Sequence, residues 1–183
     1  MKKLLIPAFA AIAVVAMAGV NSGLNKGENV TPFHPTHIVG PLAGTNNCFP
    51  CTFQARPQVQ VWVNGDNAKN VITIAKNLDA AMDTKKSKEF KALIVLVGDS
   101  ASKDYLSAMA KNVAKTEKLK NVDIAVIDKK DEAISNYKIN LDGSVKNTVF
   151  VYKNWKVEDK MVNFVADAKG ITALNSAINK ITG

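Results

Sequence analysis

Cysteine and histidine are scarce in this chain of 183 residues, which contains two of each. Both cysteines lie in the stretch NNCFPCTF, as Cys48 and Cys51, and both histidines lie shortly before it in FHPTH, as His34 and His37. Two cysteines exclude a small disulfide-rich scaffold, in which several bridges replace a large hydrophobic core. All thiol and imidazole groups of the chain therefore fall within one short stretch of sequence.

Arginine is almost absent, since Arg56 is the sole arginine of a chain whose formal net charge is +8. Proteins that recognise nucleic acids rely on arginine forks and stacking aromatic side chains. Here the positive charge comes from lysines that alternate with acidic residues along predicted helices, a pattern typical of a solvated surface. The sequence therefore predicts no nucleic-acid partner.

Long apolar runs are missing except at the start of the chain. Lys2 and Lys3 precede an apolar segment over residues 4–18, which ends in the small-x-small pattern Ala-Met-Ala. The run is shorter than the roughly 20 residues of a membrane span. We therefore predict a signal peptide over residues 1–18 rather than an uncleaved anchor. Export to the periplasm or the medium would follow, with no membrane insertion after cleavage.

The rest of the chain divides into two parts. Residues 19–56 are rich in glycine, asparagine and proline and lack periodicity. They predict an irregular extension that carries the cysteines, with a flexible lead-in over residues 20–31. Residues 57–183 alternate between apolar runs and helical stripes, which predicts a single α/β domain.

The predicted elements of the domain alternate in a regular order. Apolar strands are followed by amphipathic helices three times, and a hairpin and a last helix close the chain. This order predicts a three-layer αβα sandwich with a mixed central sheet and parallel, right-handed crossovers. The strands are expected over residues 58–63, 93–97, 122–127, 148–152 and 160–165, and the helices over residues 67–83, from Ser102 onward, and over 131–137 and 170–181.

Two stretches resemble thioredoxins. VDIAVIDKKDEAISNYKI, with Asp128, Tyr137 and Ile139, is similar to the thioredoxin segment in which a strand ends at Asp and a short helix leads to Tyr-x-Ile. NTVFVYKNWKV resembles the strand and turn that follow. The resemblance covers residues 57–183 and implies a thioredoxin-like fold.

The chain departs from thioredoxins at both parts of their active site. The position of the thioredoxin CxxC holds NGDN at residues 64–67, and the position of the cis-proline holds Lys146-Asn147-Thr148. CFPC instead precedes the first strong strand, although its proline occupies the same slot as in Cys-Gly-Pro-Cys. Some exported redoxin-like proteins resemble this arrangement, with GP-x-x-GT before the pair, as in residues 40–45. The cysteine pair precedes the strand predicted over residues 58–63, and the thioredoxin position, residues 64–67, follows it. A strand of this length spans about 20 Å, so we expect the pair at the edge of the sheet opposite the usual active site.

The first functional hypothesis is thiol–disulfide exchange with protein thiols or disulfides. If Cys48 lies in the first turn of a short helix, exposed N–H groups would favour its thiolate. Family practice, in which the first cysteine is the more exposed, implies that Cys48 attacks and Cys51 resolves the mixed disulfide. His37 or Arg56 could stabilise the thiolate further.

Two alternatives stay open at this point. His34, His37, Cys48 and Cys51 could together bind one zinc or copper ion, because imidazole and thiolate suit both metals. No other cofactor is predicted. The third hypothesis is a non-catalytic binding module of thioredoxin-like fold with a structural disulfide. Paired carboxylates, a Ser-His-Asp arrangement and a phosphate loop have no recognisable spacing in this sequence.

Overall fold

The structure is a computed structural model, and it describes residues 20–183. The predicted signal peptide over residues 1–18 lies outside the described residues. Strands and helices alternate through most of the described chain, as the sequence predicts. In chain order the elements are β1 (Thr36–Val39), α1 (Phe49–Phe53), β2 (Gln58–Val63), α2 (Ala68–Thr84), a 3-10 turn (Lys86–Lys88), β3 (Lys91–Gly98), α3 (Lys103–Thr116), β4 (Asp123–Asp128), α4 (Glu132–Asn136), β5 (Asn147–Lys153), β6 (Lys156–Val162) and α5 (Ala168–Thr182).

Residues 20–183 form one six-stranded mixed sheet in the order β1-β4-β3-β2-β5-β6. β2, β3 and β4 are parallel neighbours, whereas β5 pairs antiparallel with β2, and β6 pairs antiparallel with β5. The parallel part grows outward from β2 through helical crossovers. After β4 the chain returns past two strands to β5, so β2 lies at the centre, where the direction of growth reverses.

Helices α2, α3 and α5 cover one face of the sheet. Their buried side chains, among them Ile74, Leu78 and Leu174, pack against the valines of β2 and β5 in a single apolar core. Side-chain caps begin two of these helices: Asn67 accepts from the N–H of Asn70, and Asp167 accepts from the N–H of Gly170. This face matches the helical stripes seen in the sequence.

The other face is covered by α1, α4 and the segment before β1. Leu24, Val30 and Phe33 are buried there against Trp62 and Tyr137. The aromatic rings of Phe33 and Trp62 lie 5.1 Å apart, which is a favourable packing distance. Residues 20–35, α1 and α4 therefore form the second layer that covers the sheet, opposite the layer of α2, α3 and α5.

The extension before residue 57 differs from the irregular, flexible segment that its composition predicts. β1 adds an edge strand that pairs antiparallel with β4, and the lead-in forms a bridge between Asn29 and Lys156. Tyr137 donates a 2.7 Å hydrogen bond to the carbonyl of Thr31, which ties the lead-in to α4. Gly23 and Gly27 have φ values of +82° and +88°, so glycine serves here to form turns within a packed segment.

Most predicted boundaries agree with the structure to within a few residues. The last strand is displaced, since β6 occupies residues 156–162 rather than 160–165. Ser102 lies at the start of α3, as predicted, but its hydroxyl does not cap the helix. It donates instead to the carbonyl of Asp99, because the turn after β3 brings these residues together.

Candidate functional site: the Cys48–Cys51 disulfide

Cys48 and Cys51 form a disulfide within the turn that begins α1. Cys48 is the residue that caps the helix, and its sulfur accepts a hydrogen bond from the N–H of Cys51 at 3.2 Å. Pro50 lies in the first turn, where it fixes one backbone angle and where a missing N–H costs nothing. Cys48 thus begins a short helix, which is the condition under which exposed N–H groups would favour its thiolate.

The two cysteines differ in exposure. Only 5% of the surface of Cys48 is exposed to solvent, whereas Cys51 is partly exposed. Phe49, which is 1% exposed, lies between them in sequence and packs edge-on against Phe53, with the ring centres 4.8 Å apart. The attack by Cys48 that the family resemblance implies rests on a first cysteine that is the more exposed of the two. Here Cys48 is the more buried cysteine.

The disulfide lies where the parallel strands begin. Gln58, the first residue of β2, donates to the carbonyl of Gln54 at the end of α1. The ammonium of Lys91, the first residue of β3, lies 5.4 Å from the centre of the Phe53 ring. In thioredoxins the cysteines follow the central strand. The pair therefore lies at the opposite end of the sheet from residues 64–67, as the sequence predicts.

His37 is buried between the cysteine loop and β4. Its Nδ1 lies 2.5 Å from Oδ1 of Asp123, and its Nε2 lies 2.9 Å from the carbonyl oxygen of Asn47. Because a carbonyl can only accept, Nε2 carries a proton and donates it. Asn47 precedes Cys48 directly. The imidazole therefore fixes the backbone on which the disulfide begins, and it donates to that backbone rather than to a sulfur.

The GPLAGT segment, residues 40–45, joins β1 to this loop. Gly40 has a φ of +96° and lies against the backbone of Asp123, where a Cβ would come within 2.7 Å of its Cα. The N–H of Leu42 donates to the second carboxylate oxygen of Asp123 at 2.9 Å. The backbone of this segment thus binds Asp123, the carboxylate that also binds His37.

A buried chain of hydrogen bonds anchors α1 to the sheet. Tyr152 donates to Oε1 of Gln58 and accepts from Nε2 of Gln60, both at 2.7 Å, and Trp62 donates to Oε1 of Gln60. Gln58 continues the chain to the carbonyl of Gln54, the residue that follows α1. Burial is the main cause that raises the pKa of the Tyr152 hydroxyl. These residues support the site, and sequence analysis missed their role.

The guanidinium of Arg56 makes an ion pair away from the disulfide. Its Nε donates to Oε1 of Glu89 at 3.0 Å across the surface. The donor that the disulfide does have is the backbone N–H of Cys51. Residue types alone do not predict such a donor, because every residue except proline carries a backbone N–H.

A polar network fills the usual thioredoxin site. Asp66 accepts hydrogen bonds from the side chains of Asn70 and Asn147 at 2.7 and 2.6 Å. Both asparagines also donate to the carbonyl of Phe164. No peptide bond within residues 20–183 is cis, and Asn147 takes the place expected for the cis-proline. The polar side chains at this end of β2 thus form hydrogen bonds within the network, and none of them is a thiol.

The four predicted metal ligands make other contacts in the oxidised protein. His34 is exposed, and its Nδ1 lies 3.0 Å from the carbonyl oxygen of Asn46, whereas both nitrogens of His37 are engaged elsewhere. Among residues 20–183 no three side chains of histidine, cysteine, aspartate or glutamate are placed to hold an ion. The two sulfurs are joined in the disulfide. The metal hypothesis concerns the reduced protein and stays a prediction.

Within the described part of the chain, no helix has the length and apolar character needed to cross a lipid bilayer.

Comparison with known proteins identifies the fold. No protein-family model and no curated protein sequence matches this chain. Solved structures match over most of its length. A Chlorobium tepidum protein described as a thiol:disulfide interchange protein DsbE is 14% identical, with a TM-score of 0.62, over 87% of this chain and 99% of that one.

Two further structures show how varied such matches are. A secreted Mycobacterium tuberculosis disulfide oxidoreductase homologous to E. coli DsbE is 10% identical, with a TM-score of 0.56, over 81% of this chain and 96% of that one. A thiol peroxidase from Chromobacterium violaceum is 10% identical, with a TM-score of 0.58, over 88% and 90% of the two chains. The fold is thioredoxin-like, which confirms the predicted fold and the resemblance.

Proposed function

We propose that this protein exchanges disulfides with protein thiols through Cys48 and Cys51. The observation that carries the proposal is the hydrogen bond from the N–H of Cys51 to the sulfur of Cys48, inside a turn that leaves Cys51 partly exposed. A thiolate at Cys48 would find a donor already in place, and a hydrogen bond to the charged form favours that form.

The shortness of the bridged loop supports exchange over a purely structural bridge. A disulfide stabilises a fold chiefly by restricting the unfolded chain, and the effect grows with loop length. For a bridge between residues three apart we expect no more than about 2 kcal/mol. The buried contacts of Phe49 and the hydrogen bond from Gln58 already hold α1 in place. The fold therefore depends little on the bridge, and opening it would leave the site intact.

The fold neighbours agree with this chemistry at the level of their descriptions. They include proteins described as a thiol:disulfide interchange protein and as a secreted disulfide oxidoreductase. Their cysteines cannot be carried over by position, because this chain has NGDN where thioredoxins have CxxC. The proposal for this chain therefore rests on its own pair.

The proposal is tested by the reduction potential of the pair. Residues 19–183 are equilibrated in glutathione and dithiothreitol buffers, the free thiols are alkylated, and the mass shift is measured. We expect a reversible transition above about −300 mV, the range of labile and catalytic bridges. The control is Cys48→Ser/Cys51→Ser, which should show no mass shift. A potential far below that value would mark a structural bridge and leave the binding-module hypothesis.

We also propose that the protein is exported and works in the periplasm or outside the cell. The support is the basic start and the short apolar run of residues 1–18, together with the secreted fold neighbour. Fractionation of cells that express the full chain tests this. We expect a mature protein that begins at residue 19 outside the cytoplasm, and full-length protein in the cytoplasm would contradict export.

A further inference from the structure

The two cysteine residues differ in exposure, and this difference bears on which sulfur a client can reach. Cys48 is 5% exposed and is followed by Phe49, which is 1% exposed. The carbonyl of Asn47, the residue before Cys48, accepts a hydrogen bond from the imidazole of His37. Cys51 is partly exposed and is followed by the exposed Thr52. An incoming thiolate must approach its target sulfur from outside, along the line of the bond that breaks.

We propose that client thiols attack the sulfur of Cys51 and that Cys48 is the leaving group, the reverse of the order that the resemblance to thioredoxins implies. The inference rests on the proposed function and deepens it. Exchange rates depend on which sulfur is accessible and on how well the other one leaves. Exposure favours attack at Cys51. The N–H of Cys51, 3.2 Å from the sulfur of Cys48, favours departure of Cys48 as a thiolate.

The reaction balances with a client dithiol as the only co-reactant. A client thiolate attacks Cys51, the bond between the Cys48 and Cys51 sulfurs breaks, and its electron pair leaves on Cys48. The second client thiolate attacks the client sulfur of the mixed disulfide and releases Cys51. The client dithiol loses two electrons and two protons and becomes a disulfide, while the pair gains two electrons and ends as a dithiol.

The reverse direction uses the same sulfurs. In the reduced protein Cys51 attacks a client disulfide and expels one client thiolate. Cys48 then attacks Cys51 and expels the second. Cys48 thus needs to reach only Cys51, and its burial does not hinder the step. In either direction Cys51 carries the mixed disulfide.

The experiment maps the mixed disulfide on the native protein. The oxidised chain of residues 19–183 is mixed with an excess of a peptide that has a single cysteine, quenched with acid, alkylated and analysed by peptide mass spectrometry. We expect the adduct on Cys51 and the alkyl group on Cys48. An adduct on Cys48 overturns the proposed order. The absence of any adduct overturns the exchange reaction itself and with it the proposed function.

Single-cysteine variants give an independent measurement. The thiol of Cys51 in Cys48→Ser should react with iodoacetamide about tenfold faster than the thiol of Cys48 in Cys51→Ser, because access limits the buried thiol. In 6 M guanidinium chloride, the two rates should agree to within about twofold, since the fold no longer shields either thiol. Equal rates in the folded variants, or a faster Cys48, would overturn the inference whatever the reduction potential of the pair.

Discussion

His37 illustrates how a single residue positions the disulfide loop through hydrogen bonds to groups other than the sulfurs. Its imidazole joins the carboxylate of Asp123 to the carbonyl of Asn47, and it is almost fully buried. A buried polar group of this kind is stable because both of its nitrogens have partners. The scarcity of histidine and its closeness to the cysteines led to a metal hypothesis. The partner that explains the residue lies 86 positions away, where spacing carries no signal.

Gly40 is the residue whose replacement should disturb this arrangement most directly. Gly40→Ala places a Cβ within 2.7 Å of the backbone of β4 at a φ of +96°, so strain and overlap add. We expect the free energy of unfolding in urea to fall by about 2–4 kcal/mol.

The matched control for this prediction is Gly44→Ala in the same loop. Gly44 has a φ of +83°, but no heavy atom lies within 4 Å of the place that the added methyl group would occupy, so only the backbone cost applies. That cost is about 1–2 kcal/mol. Equal losses in the two variants would show that the contact between Gly40 and Asp123 contributes nothing.

β2 is the element that connects the disulfide to the core. Its sequence QVQVWV alternates, and such a pattern ordinarily predicts a strand with one face in water. In the structure all six residues are buried. The valines face α2 and α5, while Gln58 and Gln60 lie under the second layer and use their amides in the chain that ends at α1. Alternation predicted the strand, but the cover on the glutamine face comes from residues 20–35 and α1.

The link between β2 and α1 can be cut by Gln58→Met, which preserves volume and removes the amide. The hydroxyl of Tyr152 then loses its acceptor, and α1 loses the donor at its carboxyl end. We expect the free energy of unfolding to fall by about 1–3 kcal/mol. Dithiothreitol should also reduce the disulfide several times faster, because α1 opens more often.

Gln54→Ala is the control for that variant. It removes an exposed side chain at the end of α1 but keeps the carbonyl that Gln58 binds. Stability should change by no more than about 0.5 kcal/mol. A reduction rate that is the same in Gln58→Met and Gln54→Ala would argue against the glutamine as the anchor of the helix.

At the scale of the molecule, the sequence predicted the sheet and its helices because their signals are local. The residue patterns predicted every strand and α-helix from β2 to α5 to within a few residues, but not the 3-10 turn at Lys86–Lys88. β1 was missed because its four residues include only two apolar ones, Ile38 and Val39, and its pairing with β4 is formed across the fold. The disulfide was found from spacing alone. Its supports were not, since Asp123, Gln58 and Tyr152 acquire their roles through contacts distant in sequence.

The second layer of the fold should make the protein sensitive to alkaline pH. Burial raises the pKa of the Tyr137 and Tyr152 hydroxyls, and both hydroxyls donate hydrogen bonds that a phenolate cannot make. Between the ordinary tyrosine pKa near 10 and the raised values, the unfolded chain holds fewer protons than the folded one. Stability is therefore full below about pH 10 and falls above it, by about 1.4 kcal/mol per pH unit for each tyrosine.

This prediction is checked in a Tyr105→Phe background, where Tyr137 and Tyr152 are the only phenols. Absorbance at 295 nm and far-ultraviolet circular dichroism are followed together as the pH rises. We expect both signals to change in one transition, because these phenols ionise only when the fold opens. A rise in absorbance that precedes the loss of dichroism would show that the second layer admits water in the folded state.

The early position of the two cysteines in the chain has a consequence for the order in which the fold assembles. Cys48 and Cys51 precede in sequence Gln58, Lys91 and Asp123, which contact the helix and the loop around the pair. The pair can close before the sheet has assembled, because the loop it bridges is local. With no third cysteine in the chain, only one intramolecular pairing exists. The nascent chain therefore needs no isomerase to correct its own bridge, and the fold assembles around a turn that is already joined.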